Sequence, residues 1–405
     1  MPNKGTAKLA WASKPRSNVS ESLHERLESI DWECEKEDTR YLTHNFHPYS
    51  SKYIPQIPRN LIDLLTTRGE TVLDPFVGSG TTLIECKLLG RNSIGIDINP
   101  LACLVSKVKT TLIPPEYLEK ETQSLLESIE EEITTIRGSP KLFNYSNPGG
   151  NLAVNASVEA LGFSHVRSWF QPQVIKELSV IKAHIDGLGD KNLRDFFLAA
   201  FSSILRTVSN AASGFGNLMI SKKPIEKKFI FEKFRSKVYL MISRMGEFYQ
   251  LADESVQTTI ILGDARKLNM LQDKSADMIC THPPYMASVP YAEYQKLSLW
   301  WLRHDPNQLD AQLIGGQRSR KDTAERYIAD MRRSFLRMYR IVKSGGYCCV
   351  VIGNPVYRGQ VWPLNETFKE ISTSAGFRLI KEMVRGKYKT TMGKMKQEFI
   401  LVFQK

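Results

Sequence analysis

Two short stretches of this chain carry residues whose types and spacing could do chemistry. The first runs from Asp74 through Gly78-Ser79-Gly80, where a carboxylate stands beside glycines that let backbone amides approach a ligand closely. The second runs from Thr281 to Tyr285 and combines a hydroxyl, an imidazole, two prolines and an aromatic ring. A neutral imidazole accepts a hydrogen bond and can act as a base near pH 7. The two stretches predict a ligand pocket with a proton-accepting group beside it.

Elements of a parallel sheet must position the first stretch. Thr71 to Leu73 reads as a short apolar strand, a helical pattern follows Gly80, and Ser93 to Ile98 reads as a second strand. Asp97 lies at the end of that second strand, where a carboxylate can accept hydrogen bonds from the two hydroxyls of a ribose. This strand, turn, helix and strand predict a site for a nucleoside cofactor.

The spacing of the glycines narrows the choice of cofactor. Gly78-Ser79-Gly80 lacks the third glycine of a dinucleotide fingerprint, and the chain lacks the Gly-Lys-Ser/Thr ending of a phosphate-binding P-loop. With Asp74 beside the turn, the pattern suits a ligand that carries an amine and a sulfonium, and S-adenosylmethionine fits that description. The alternative is an ordinary glycine-rich turn without a ligand.

The second stretch follows a strand in the same predicted sheet. Ala276 to Cys280 is apolar and leads directly into Thr281, and Asp264 follows an earlier strand that begins at Thr258. Ligands of such sheets bind at the carboxyl ends of the strands. We therefore expect Asp264 to reach the adenine or ribose of the cofactor, and the segment ending at Tyr285 to lie beside the methyl donor.

Composition limits the class of protein and suggests its partner. The chain has 405 residues, of which 42% are hydrophobic, so it can bury a sizeable core. Its formal net charge is +12 at pH 7, and a basic surface favours a polyanionic partner such as nucleic acid. Six cysteines without a C-x-x-C pair, no apolar signal core and no membrane-length stretch predict a cytoplasmic protein with reduced cysteines and no metal.

The order of the patterns along the chain predicts four parts, with a helical insertion between two parts that form the sheet. These are an N-terminal tail and surface helix (1–40), a first sheet-forming part with the cofactor motif (41–115), a helical insertion (116–255), and a second sheet-forming part with the catalytic motif (256–405).

The two motifs in this order resemble those of the DNA amino-methyltransferases, which methylate N4 of cytosine or N6 of adenine. Asp74 to Thr82 resembles their cofactor motif, and Pro283-Pro284-Tyr285 resembles their catalytic motif of a polar residue followed by Pro-Pro-aromatic. The segment from His47 to Ile62 resembles one that helps to hold methionine in these enzymes. The resemblance implies an α/β fold, a Rossmann-like class I methyltransferase sheet with helices on both faces, and S-adenosylmethionine as the cofactor.

The resemblance also assigns roles to individual residues. The implied catalytic residues are Thr281, His282, Pro283, Pro284 and Tyr285, and the implied cofactor-binding residues are His47, Tyr49, Lys52, Asp74, Pro75, Phe76, Gly78, Ser79, Gly80, Thr81, Thr82, Asp97, Ile98, Asn99, Asp264 and Ala265. An exocyclic amine is a poor nucleophile because its lone pair is delocalised into the ring. A polar side chain and the Pro283 carbonyl can accept its hydrogen bonds, and Tyr285 offers a face to a base flipped out of the duplex.

His282 departs from the family pattern, which has Ser, Asp or Asn at that position. The sequence leaves open whether Thr281 or His282 faces the amine, and we expect activity to fall at acidic pH as His282 becomes protonated. We favour N4 of cytosine, because the continuation after Tyr285 is more like the cytosine enzymes, with N6 of adenine as the alternative. The absence of a Pro-Cys nucleophile argues against methylation at carbon 5.

Contacts to double-stranded DNA are expected from two polar loops, at 209–228 and 312–323. Their candidate residues are Asn210, Asn217, Lys222, Lys223, Lys227, Lys228, Gln317, Arg318, Arg320 and Lys321. Lysines would bind phosphates, and Asn, Gln or Arg would read base edges. A prokaryotic enzyme paired with a restriction endonuclease is the leading interpretation. An RNA amino-methyltransferase and a non-catalytic nucleic-acid-binding protein are the competing ones.

Overall fold

The computed structural model describes most of the chain. The described residues are 22–138, 166–212, 218–221, 229–286, 290–317, 320–357, 359–386 and 397–405.

A seven-stranded sheet in the order β3-β2-β1-β4-β5-β9-β8 forms the centre of the molecule. Its strands are β1 (Thr71–Asp74), β2 (Asn92–Asp97), β3 (Thr258–Leu262), β4 (Ala276–Thr281), β5 (Val342–Gly353), β8 (Arg378–Arg385) and β9 (Glu398–Gln404). The first five run parallel, and β9 pairs antiparallel with both β5 and β8. The predicted α/β class is confirmed. A two-stranded ribbon joins β6 (Val356–Tyr357) to β7 (Gln360–Val361).

Burial on both faces explains why the central strands read as unbroken apolar runs. Leu73 and Ile279 pack on one face of the sheet, in a core that includes Phe335. Their neighbours Val72 and Met278 pack on the other face. Successive side chains of a strand point to opposite faces, so each strand supplies both cores.

Helices cover both faces of the sheet and fill the long connection between β2 and β3. They are α1 (Leu23–Glu28), α2 (Gln56–Leu65), α3 (Thr81–Leu89), α4 (Pro100–Thr110), α5 (Pro115–Gly138), α6 (Val166–Trp169), α7 (Pro172–Asp186), α8 (Lys191–Val208), α9 (Ile230–Leu251), α10 (Tyr291–Trp301), α11 (Pro306–Gln312), α12 (Thr323–Ile341) and α13 (Leu364–Ala375), with a 3₁₀ helix at Leu42–Asn45.

The helices between β2 and β3 share one apolar core with the segment that precedes the cofactor turn. That core joins Leu126 of α5, Leu178 of α7, Phe197 of α8 and Phe234 of α9, and it reaches Phe46. The helices between β2 and β3 therefore pack against the first sheet-forming part and share its core. No helix among the described residues is long and apolar enough to cross a membrane.

The strand limits differ slightly from those predicted. Strand β1 includes Asp74, β2 starts and ends one residue earlier than Ser93 to Ile98, and β4 extends to Thr281. The last difference matters for function, because it makes Thr281 a buried strand residue and leaves His282 as the first residue beyond the strand. All six cysteines are free thiols, and five of them are buried.

Candidate active site

A cavity lies at the carboxyl ends of β1, β2, β3 and β4. The positions that follow these four strands meet there because parallel strands end at the same edge of a sheet. Both predicted motifs contribute to the lining, Asp74 and Gly78 from the first and His282 and Pro284 from the second.

Asp74 ties the cofactor turn to the catalytic strand. Its Oδ1 accepts a hydrogen bond of 2.6 Å from the Thr281 hydroxyl and one of 3.1 Å from the Phe76 amide. Its Oδ2 accepts from the Thr82 hydroxyl at 2.5 Å. Burial raises the pKa of Asp74 to about 6, although these hydrogen bonds oppose the rise. The carboxylate is thus buried but well supplied with donors.

Asp97 forms the second acidic point of the cavity. Its two oxygens accept backbone hydrogen bonds from Gly78 and Asn99, each at 2.9 Å. Burial raises the pKa of Asp97 to about 6 against the effect of these amides. Gly78 adopts a positive φ of 49°, which brings the turn under the ring of Tyr49. The amides of the turn fix the carboxylate at the rim of the cavity.

The segment before β1 supplies one wall, as the aromatic and basic residues predicted. Tyr49 and Lys52 line the cavity, and the Lys52 ammonium donates to the His44 carbonyl at 3.0 Å. His47 does not line it, because the imidazole is buried against Ser202 of α8, with Nε2 at 2.9 Å from the hydroxyl. His47 therefore anchors the segment to the helices, and its prediction as a cofactor ligand is corrected.

At the end of β4, the structure shows which of Thr281 and His282 faces the cavity. Thr281 is fully buried, with its hydroxyl on Asp74, so it does not face the cavity. His282 lines the cavity, and its ring stacks on Tyr53 with centroids 5.2 Å apart. Burial lowers the pKa of His282, while Glu398 opposes that effect. The ring therefore stays neutral to lower pH than an exposed histidine.

Tyr285 does not offer the stacking face that its place in the motif suggested. Only 4% of the residue is exposed, and it is absent from the cavity lining. Its hydroxyl lies 2.7 Å from His282 Nε2 and donates to Glu398 at 3.0 Å. Pro283 is buried, and the Pro284 carbonyl accepts a hydrogen bond of 2.9 Å from Tyr327. In this conformation Tyr285 supports His282 and does not stack on a base.

Asp264 reaches the cavity, but an arginine two residues later holds its carboxylate. Arg266 Nε lies 2.9 Å from Asp264 Oδ1, and Nη2 lies 2.8 Å from Oδ2. The same guanidinium donates to the Gln312 carbonyl at 2.8 Å, which draws the end of α11 over the cavity. In the parts of the chain that the structure describes, no cluster of three or more His, Cys, Asp or Glu could hold a metal ion.

Thirteen of the sixteen predicted cofactor residues line the cavity. Those that line it are Tyr49, Lys52, Asp74, Pro75, Phe76, Gly78, Ser79, Thr81, Asp97, Ile98, Asn99, Asp264 and Ala265. His47, Gly80 and Thr82 do not, because His47 is anchored in the helices, Gly80 approaches Ser106 of α4, and Thr82 is buried on Asp74.

The predicted nucleic-acid contacts are described only in part. Asn217, Lys222, Lys223, Lys227, Lys228 and Arg318 lie outside the described residues. Asn210 donates to the Ser168 carbonyl at 3.1 Å, and the Gln317 side-chain oxygen accepts from Arg326 at 3.2 Å. Arg320 pairs with Asp322, and Lys321 is exposed. Asn210, Gln317 and Arg320 therefore each have a partner within the protein.

Residues outside the two motifs complete the site. Tyr53, Tyr291 and Arg266 line the cavity, and Glu398 lies behind Tyr285. The sequence signal for Tyr53 was its place in the aromatic and basic segment. For Glu398 the only signal was an acidic residue followed by five apolar residues of one strand.

The chain is similar to known DNA methyltransferases. A family model described as a DNA methylase matches residues 8–107. The Type II methyltransferase M.MvaI of Kocuria varians is 31% identical over 69% of this chain and 63% of its own length. M.MjaII of Methanocaldococcus jannaschii is 23% identical over 88% of this chain and 79% of its own. The chain thus spans less than two thirds of the length of the first of these relatives.

Among solved structures, the chain overlaps with a SAM-dependent methyltransferase from Methanosarcina mazei. The two are 11% identical over 85% of this chain and 96% of the other, with a TM-score of 0.36.

Proposed function

Because this chain belongs to the S-adenosylmethionine-dependent DNA amino-methyltransferase family, we propose that it methylates the exocyclic amine of a base in double-stranded DNA. One observation carries the proposal. Asp74 and Asp97 of the cofactor motif line the same cavity as His282 and Pro284 of the catalytic motif. A methyl donor and an amine acceptor bound in this cavity would meet at the end of β4.

The charged groups of the cavity suit the proposed cofactor. The Asp97 carboxylate can accept hydrogen bonds from ribose hydroxyls, and Asp74 places a second buried carboxylate near a cationic ligand. The Lys52 ammonium can pair with the carboxylate of a methionine moiety. When bound, S-adenosylmethionine supplies an electrophilic methyl group on a sulfonium.

The residues that follow β4 would make the amine nucleophilic. His282, which lines the cavity, is proposed as an acceptor for the amine protons, because the Thr281 hydroxyl already donates to Asp74. The Pro283 carbonyl is proposed as the second acceptor on the family resemblance alone, since Pro283 is buried and does not line the cavity. Accepting these hydrogen bonds returns the lone pair from the ring to the nitrogen. Neutral imidazole is the form that can accept, and burial of His282 favours that form.

N4 of cytosine is the favoured target, on the resemblance of the segment after Tyr285 to cytosine enzymes. N6 of adenine is the alternative. The target base would be flipped out of the duplex to reach the cavity. Methylation within a short specific sequence, in a prokaryotic cytoplasm and beside a cognate restriction endonuclease, is the setting that we propose.

Target recognition is assigned to the helical part at 116–255 together with the loop at 312–323. The loop follows α11, whose end Arg266 holds over the cavity. In the sequence, the lysines at 222–228 lie between α8 and α9 of this helical part.

Expression in a bacterial host that lacks DNA methylation tests this function. Sequencing of the host DNA by a method that distinguishes N4-methylcytosine from N6-methyladenine should reveal a single modified motif. A His282→Ala variant is the matched control and should leave the DNA unmodified. Unmodified DNA from cells that contain folded, cofactor-binding wild-type protein would contradict the proposal. Methylated host RNA in those cells would then favour the RNA alternative.

A further inference from the structure

A continuous line of hydrogen bonds runs from the cavity into the core. His282 Nε2 lies 2.7 Å from the Tyr285 hydroxyl, and that hydroxyl donates to Glu398 Oε1 at 3.0 Å. The other oxygen of Glu398 accepts from Arg385 Nη1. Arg385 also donates through Nε to the Trp32 carbonyl at 2.7 Å. The line thus begins at a cavity residue and ends in the antiparallel part of the sheet.

The members behind His282 are held rigidly. Glu398 is fully buried, and Tyr285 and Arg385 are 4% and 5% exposed. Arg385 ends β8, Glu398 begins β9, and the two residues are direct cross-strand partners. Buried and paired in this way, the carboxylate cannot exchange its partners for water, so its hydrogen bonds dictate those of the groups in front of it.

The chemistry of donors and acceptors then determines where the protons lie. A guanidinium only donates, and the carboxylate therefore accepts from both Arg385 and Tyr285. When Tyr285 gives its one proton to Glu398, its oxygen becomes the acceptor for an N–H at His282 Nε2. A neutral imidazole carries one N–H, which leaves Nδ1 without a proton.

We propose that Glu398 is a positioning residue that acts through Tyr285 to hold His282 as the Nε2–H tautomer, so that Nδ1 takes up the proton released on methyl transfer. This inference rests on the proposed function. In that step the amine nitrogen forms a bond to the methyl carbon, and the carbon–sulfur electron pair stays on sulfur. The sulfonium becomes a thioether, and one amine proton moves to Nδ1.

The surroundings of His282 suit a ring that gains a proton and loses it again. Glu398 Oε1 lies 3.9 Å from Nε2, and a backbone hydrogen bond with Ser51 also favours the protonated form. Burial and the Arg385 guanidinium favour the neutral form. The opposing groups keep the proton from being bound permanently, as a general base requires.

The tautomer can be measured without any substrate. In protein labelled with ¹⁵N-histidine, the imidazole shifts of His282, assigned by its loss in His282→Ala, should report Nε2–H at neutral pH. In Glu398→Gln the amide oxygen must accept from Arg385, which turns the NH₂ toward Tyr285. Tyr285 then donates to His282, and the tautomer should switch to Nδ1–H. Glu382→Gln removes a carboxylate of β8 that contacts Asn365 and Lys369, and it should leave the signal unchanged.

Tyr285→Phe provides a second route to the same answer, since it removes only the linking hydroxyl. It should leave a mixture of tautomers. An Nδ1–H signal in the wild-type protein, or a wild-type signal in both Glu398→Gln and Tyr285→Phe, would overturn the inference.

Single-turnover kinetics separate a positioning role from a structural one. Tyr285→Phe and Glu398→Gln should each slow methyl transfer by roughly 10²-fold with an unchanged cofactor Kd. The double variant should be no slower than the slower single variant, because both changes break one line. Multiplied losses, or a loss confined to cofactor binding, would contradict the role. A protein that shows the tautomer switch but methylates no nucleic acid would refute the proposed function and leave the hydrogen-bond assignment standing.

Discussion

The Thr281 hydroxyl donates a 2.6 Å hydrogen bond to Asp74 Oδ1, so the last residue of β4 is joined to the last residue of β1. Both side chains are buried, with Thr281 fully inaccessible and Asp74 1% exposed. The bond joins the two motifs, and it gives the Thr281 hydroxyl a structural role. His282 is left as the side chain of the pair that faces the cavity.

The substitution Thr281→Val tests the hydrogen bond between Thr281 and Asp74. The substitution keeps the shape and leaves a buried carboxylate oxygen with one donor fewer, at an expected cost of about 1–3 kcal/mol in the free energy of unfolding. Because the lost bond holds down the pKa of Asp74, cofactor affinity near pH 6 should also fall. Urea denaturation and calorimetric titration measure the two effects. Thr281→Ser should restore both, and Thr111→Val, which removes a hydroxyl bonded to the Lys107 carbonyl, is the control.

Cofactor affinity should depend on the ionisation of Asp97. Its pKa is raised to about 6 by burial, and a ribose hydroxyl needs the ionised form as its acceptor. The Kd for S-adenosylmethionine should therefore be constant well above pH 6 and rise as the pH falls through 6. Asp97→Asn should weaken binding at pH 8 by about 10- to 100-fold and make the pH profile shallower. Exposed Asp273→Asn is the control, and equal profiles for both variants would refute the assignment.

His47 should make the fold less stable in acid. Burial lowers its pKa from 6.5 to about 3, helped by Lys109 and Lys237. Its contribution to stability is complete above pH 6.5 and is lost as the pH falls toward 3, because the unfolded chain binds the proton first. The free energy of unfolding of the His47→Gln variant should fall less steeply between pH 6 and 4 than that of the wild type, by up to about 1.4 kcal/mol per pH unit. The comparison with exposed His24→Gln by urea denaturation decides this, and parallel slopes for both would count against it.

Two glycines with nearly the same positive φ distinguish the cost of backbone strain from the cost of a steric clash. Gly80 has φ +81°, and a Cβ there would lie 2.9 Å from the Ser106 Cβ. Gly69 has φ +83° with nothing within 4 Å. Gly69→Ala should cost about 1–2 kcal/mol in the free energy of unfolding, and Gly80→Ala about 1–3 kcal/mol more. Equal losses would mean that α3 and α4 can separate without cost.

The lysines at 222–228 should contribute to DNA affinity through phosphate contacts. Replacing Lys222, Lys223, Lys227 and Lys228 by Gln should lower the slope of log K against log salt by up to about 3.6. The matched control replaces Lys36, Lys274, Lys343 and Lys369, which removes the same charge outside the proposed recognition part. Fluorescence anisotropy with a duplex that contains the modified motif measures both slopes. An unchanged slope in the loop variant would remove this loop from the interface.

Local patterns predicted the frame of the site well, since each is a property of neighbouring residues. Glycines after a short apolar strand predicted the turn at Gly78, and the polar end of the next strand predicted Asp97. The roles of His47 and Tyr285 were predicted less well, because each depends on what packs against the side chain.

The sequence by itself determined the α/β class, the order of the motifs and most of the cofactor wall, because strand, turn and helix signals act over a few residues. Only the tertiary structure decided which catalytic side chain faces the cavity. Thr281 turns to Asp74, 207 residues away, and Tyr285 turns to Glu398, 113 residues away. No periodicity records such pairs, since they form only when β1 and β4 end, and β9 begins, at the same edge of the sheet and their buried polar groups must find partners.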